Sequence, residues 1–238
     1  MPYRVKIMGD ELSVFSKSKA ALDSDFCRQG SVLIEPSMDC DFSLKVFNDG
    51  KKVQANAYSS AASAADFLML FRGIPLDEIT FSFNKKVITV CSQKSTEYSV
   101  EMPKCKFKFT QTLDFFGAHI PLFFTEDDKE MLFLEVANIS DFDLTVAPTI
   151  LMKQLGLGAG SLTVFSRSGS TCLAKSIVSH LEHPPHRLDI AVYLSAFLGF
   201  CSNAFKKLIL DGKEAELSYS GSAGILTFHS ETDRQNRQ

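Results

Sequence analysis

The sequence predicts an α+β protein built as two similar halves. Three observations carry this. Short apolar stretches alternate with period two and end at turn residues, as strands do. One Ala-rich stretch, rich in strong helix formers, interrupts them in the first half. The order strand, strand, helix, hairpin then occurs a second time, which is the mark of an internal duplication. The 238 residues allow one large domain or two small ones at ~100–200 residues each. The repeat favours two, over 1–112 and 113–238, with the last strand free to pack back on the first domain.

Gly30-Ser31-Val32-Leu33-Ile34-Glu35 reads as a strand stopped by Pro36. In Asp41–Phe47, Phe42, Leu44 and Val46 point one way and Ser43 and Lys45 the other. Asn48-Asp49-Gly50 is a turn. Ser59–Phe71 is the helix, closed by Gly73 and Pro75. Ile79–Phe83 and Val87–Val90 form a hairpin across Asn84-Lys85-Lys86, and Tyr98–Met102 is a further strand. In the second half, Gly160–Phe165 answers the Gly30 strand and Arg187–Tyr193 answers the Asp41 strand. A helix from about Ala196 to Leu210 then ends at Asp211-Gly212. Glu216–Ser220 and Ile225–Phe228 close the repeat as a hairpin. On this reading the offset drifts from about 130 to about 146 residues, with extra residues around Gly169–His186.

Composition excludes several classes. Apolar residues make up 45% and charged residues 22%, with a formal charge of −3, as in an ordinary globular protein and not a fibre or a disordered tail. That near-neutral charge argues against a general nucleic-acid binder. No apolar run reaches the ~18 residues of a membrane span, and Ile190–Phe200 is the longest candidate. The N-terminus lacks a secretory pattern. The cysteines Cys27, Cys40, Cys91, Cys105, Cys172 and Cys201 form no CxxC motif, so they read as reduced thiols of a cytoplasmic protein. Twenty-one Phe and no Trp is an unusual aromatic balance, read as core packing.

Several motifs bear on chemistry. Gly156-Leu157-Gly158-Ala159-Gly160 follows a predicted helix, Thr149–Leu155, and precedes a strand. A phosphate loop has the opposite order, so this is a helix end and a turn. His180, His183 and His186 precede or flank Pro184-Pro185, which breaks the helix a metal-binding spacing would need, so no metal site is expected. Lys104–Phe109 alternates basic and apolar residues as an amphipathic strand with a solvated cationic face. Cys172 and Cys201 are the thiols that a neighbouring helix N-terminus would activate, a buried inert thiol being the plain alternative for each.

The chain resembles the diaminopimelate epimerase family. Met8-Gly9-Asp10-Glu11-Leu12-Ser13-Val14-Phe15 is similar to its opening G-N-D-F and apolar strand. Val32-Leu33-Ile34-Glu35-Pro36, Asp41-Phe42 and Val46-Phe47-Asn48-Asp49-Gly50 are similar to its V-E-P, D-F and F-N-x-D-G. Val136-Ala137-Asn138-Ile139-Ser140 resembles its G-N-P-H strand entry, more loosely. The resemblance implies two similar α/β domains, each a curved, mostly antiparallel sheet around a central helix, with an inter-domain cleft. It implies a cofactor-independent isomerase or racemase acting on a small amino or carboxylic acid. It also implies two thiols, one per domain, each at a helix N-terminus that also holds the substrate carboxylate.

Here the motif breaks. The family's C-G-N-G falls on Ala57-Tyr58-Ser59-Ser60, or one residue earlier on Asn56–Ser59, and neither register has a cysteine. Cys201 is the candidate for the second thiol, with Cys172 as rival. The Glu-Arg pair that would grip substrate falls near Tyr193-Leu194 and is missing. Asn48 and Asn138 remain as substrate-type contacts. Tyr58, Ser59 and Ser60 supply donors at the first helix, and Ser202 and Asn203 lie beside Cys201. The expectation is a diverged family relative whose two-thiol chemistry is lost. One-base isomerisation through Cys201 or Cys172, a non-catalytic small-acid binder and an interaction protein stand as alternatives. No cofactor, nucleic acid or membrane partner is expected, and a homodimer is left open.

Overall fold

The structure, a computed structural model, describes residues 3–15, 30–71, 73–74, 77–94, 96–115, 118–125, 131–141, 160–179, 184–202, 204–220 and 223–232. The expected helix Thr149–Leu155, the glycines Gly156 and Gly158, Cys27, His180, His183 and Asn203 lie outside these residues. The described chain divides into two compact units. The first holds Met1–Glu101, His186–Asp189 and Ile225–Gln238, and the second holds Met102–Pro185 and Ile190–Gly224.

In the first unit the strands are β1 (Tyr3–Ile7), β2 (Asp10–Phe15), β3 (Ser31–Pro36), β4 (Phe42–Asn48), β5 (Lys51–Val53), β6 (Glu78–Phe83), β7 (Lys86–Lys94) and β8 (Glu97–Glu101). The last strand of the chain, β16 (Ala223–His229), pairs antiparallel with β8 through Ile225–His229. The order is β1-β2-β3-β4-β6-β7-β8-β16, with β5 on β4. Pairing is antiparallel except between β2 and β3 and between β4 and β6. Asn84 and Lys85 both take positive φ (47° and 68°), the backbone of a tight hairpin turn matched to strand twist. Helix α1 (Ala57–Asp66) lies against β1–β4 and β6–β8, and a π-helical turn, Phe67–Phe71, extends it. Every residue from Tyr58 to Asp66 is buried. Its Ala and Ser side chains are small enough for strands to close on it from several sides.

The second unit repeats the plan. Its strands are β9 (Phe107–Phe115), β10 (Ala118–Thr125), β11 (Met131–Glu135), β12 (Gly160–Ser168), β13 (Thr171–Ser179), β14 (Lys207–Leu210) and β15 (Lys213–Ser220), in the order β15-β14-β13-β12-β11-β10-β9. The parallel pairs are β11 with β12 and β13 with β14. They stand where β2–β3 and β4–β6 stand in the first unit. Helix α2 (Arg187–Cys201) is the central helix, buried from Leu188 to Ser195. Phe197 on α2 meets the rings of Phe107, Phe123, Phe133 and Phe165 at centroid distances of 5.2, 4.5, 6.1 and 6.0 Å. The Phe excess is in this respect core packing, and Phe81, Phe133, Phe165, Phe197 and Phe228 are essentially inaccessible.

Two sequence expectations are corrected here. Arg187–Tyr193 is the start of a helix and not a strand, and Lys207–Leu210 is a strand and not the end of a helix. A helix buried on all sides shows no 3.6-residue period, so Leu188–Leu194 cannot be told from a buried strand by pattern. The residues taken as extra are β13, the partner of β12 from Gly160–Ser179 to Ser168–Thr171. With that strand restored, β3 and β12 and the two helix starts share one offset. Ser31 and Ser161, each opposite the preceding parallel strand, are 130 residues apart, as are Ala57 and Arg187, which open the two helices.

Candidate functional site

The first turn of α1 gathers the polar side chains of greatest interest. The helix opens after Asn56, whose backbone is left-handed (φ 61°), a conformation Asn tolerates better than most residues. An Asn at this position ordinarily caps its own helix through its side chain. Here it does not. Its Oδ1 instead accepts the backbone N–H of His186 at 2.8 Å. The free N–H groups of the first turn are met from elsewhere. Tyr58 N–H donates to Asp189 Oδ1 at 2.9 Å and Ser59 N–H to Asp189 Oδ2 at 3.1 Å. The Ser59 hydroxyl donates to the same Oδ2 at 2.5 Å. Ser60 N–H makes the first intrahelical bond, to Asn56 O at 3.0 Å.

Asp189 therefore caps α1 from a position 130 residues away, and only 3% of it is exposed. It also lies in the first turn of α2, so one carboxylate serves the positive ends of two helices. Its neighbours fix it in place. Arg187 donates its backbone N–H to Asp10 Oδ2 at 2.5 Å and Nη1 to Asp10 Oδ1 at 2.7 Å. Asp10 opens β2 directly after Gly9, the stretch that resembles the family's opening motif. Thus His186, Arg187 and Asp189 each bind first-unit groups, which is why His186–Asp189 belongs to that unit. Two buried atoms beside this cluster have no hydrogen-bond partner, Ser60 Oγ and His186 Nδ1.

Burial drives the Asp189 carboxyl above the usual aspartate value, because desolvation penalises the charged form. Bonds from Ser59 and Tyr58 and the nearby His186 imidazole pull the other way and are outweighed. With both oxygens engaged and the side chain enclosed, Asp189 acts as a cap rather than an accessible base.

The thiols lie elsewhere. Cys201 is the last residue of α2 and is exposed, so the expected setting at the start of a helix is corrected. The C-terminal end of a helix dipole is negative and disfavours thiolate. The Cys201 thiol is raised above its ordinary value, chiefly by burial of the sulfur, despite the nearby Arg167 guanidinium. Arg167 is committed to Glu135, through Nε at 2.5 Å and Nη2 at 2.9 Å. Cys172, the second residue of β13, is buried, and desolvation pushes it up to about 12. Neither thiol stands at a helix N-terminus.

The other expected site residues separate into two groups. Tyr58, Ser59 and Ser60 are together and buried at the start of α1. Asn48 ends β4 opposite Lys51. Asn138 is exposed and closes a local turn, accepting Ser140 N–H at 3.1 Å. Ser202 follows α2, its N–H bonded to Leu198 O at 2.8 Å, and sits with Cys201 at the far end of that helix from Asp189. Sequence reasoning missed Asp189, Asn56, Asp10 and Arg187. A signal was present: two prolines followed within a turn by an acid mark a helix start at 186–189. Among the described residues, no cluster of His, Cys, Asp and Glu could hold a metal ion, and no helix is long and apolar enough to cross a membrane.

No protein-family model matches the sequence, and no curated protein matches it. Solved structures do. A phenazine biosynthesis PhzF-family protein of Enterococcus faecalis superimposes with a TM-score of 0.70 at 12% identity, over 97% of this chain and 96% of its own. The chain has the PhzF and epimerase fold. A predicted epimerase of Pseudomonas aeruginosa gives 0.60 at 14% identity, over 96% and 95% of the two chains. A hydroxyproline epimerase of Agrobacterium vitis, with bound trans-4-hydroxy-L-proline, gives 0.61 at 9% identity, over 98% and 90%. At these identities the likeness establishes the fold, and function has to be argued from the site.

Proposed function

We propose that this chain is a diverged member of the cofactor-independent isomerase group that keeps the fold and has given up two-thiol proton exchange. One observation carries the reading: the Asp189 carboxylate accepts three hydrogen bonds at the first turn of α1. The family resemblance puts a substrate carboxylate at such a turn, and a carboxylate fits there because the turn offers fixed N–H donors and a positive dipole end. In this chain the donors are already taken by the protein itself. The thiols support the same reading. No cysteine stands at the start of α1 or of α2, and the two in the second half are held protonated. Proton abstraction at a substrate α-carbon needs a base near neutral pKa within reach of the carbon. Cys172, Cys201 and the enclosed Asp189 each fail one of these requirements. The protein's work is then binding or interaction on an inherited scaffold.

Incubation with L-proline, trans-4-hydroxy-L-proline and a panel of α-amino acids in D2O, followed by NMR, tests this. The expected result is no incorporation of deuterium at the α-carbon above the buffer control. Incorporation abolished by Cys201→Ser or Cys172→Ser would overturn the proposal.

A further inference from the structure

We draw no further inference here: the strongest candidate, the apolar surface patch at the last turn of α2 where the ring of Phe200, 71% exposed, lies 6.1 Å from that of Phe107 on β9, carries nothing because nothing in the structure shows what covers it.

Discussion

Replacing Asp189 by Ala removes the acceptor of two backbone N–H groups and one hydroxyl, all buried. The Ser59 hydroxyl can rotate to another acceptor, whereas the Tyr58 and Ser59 N–H groups cannot. Each buried donor left unmet costs about 1–3 kcal/mol. The substitution also removes a desolvated charge, which offsets part of that cost. The net expectation is a destabilisation of about 2–4 kcal/mol at pH 7. In a chain of this size that is a fall in Tm of roughly 4–16 °C. Urea unfolding followed by far-UV circular dichroism measures it, with Asp189→Asn falling between wild type and Ala because one oxygen still accepts. A loss below about 0.5 kcal/mol, the range of an ordinary surface change, would refute the reasoning.

Other substitutions test neighbouring parts of the account. Phe197→Ala empties the centre of the second unit's aromatic cluster and should cost about 3–5 kcal/mol by urea unfolding. Gly199→Ala should destabilise by about 1–3 kcal/mol although Ala favours helix, because a Cβ there runs into the Tyr219 ring, whose hydroxyl is held by Ser195 O at 3.1 Å. In alkylation with iodoacetamide at pH 7, Cys172 should stay unmodified in the native protein and Cys201 should react no faster than a free thiol. Mass spectrometry of the modified peptides reads both.

Much of the fold is legible in the sequence where a strand has one wet face. The Phe42–Phe47 alternation, the Asn48-Asp49-Gly50 turn and the Asn84-Lys85 hairpin each follow from local chemistry, and the structure keeps them. Legibility fails at α2. There every side chain from Leu188 to Ser195 is buried, so the polar face that would give a helical period is absent. Taken as a strand, Arg187–Tyr193 shifts the second half by one element and puts Cys201 near the start of a helix, whereas it ends α2. The same displacement hid Asp189. Its partners lie 130 and 131 residues away in sequence, and only the folded topology brings a second-half carboxylate to the first-half helix. The donors Tyr58 and Ser59 were legible from the resemblance, and their occupant was not.

The central claim is that the start of α1 is bonded to the Asp189 carboxylate. The most direct measurement is a pH titration of the Tyr58 and Ser59 backbone amides by 15N NMR, in wild type and Asp189→Asn. Burial raises the folded carboxyl above its ordinary 3.8, so protonation favours the folded state. Its contribution to stability is complete below 3.8 and is lost as pH rises through the folded value. The account predicts that both amides move together, with one midpoint above 3.8, and that neither moves in Asp189→Asn. Amides that titrate alike in the two proteins, or not at all in the wild type while Asp189 itself titrates, would contradict it.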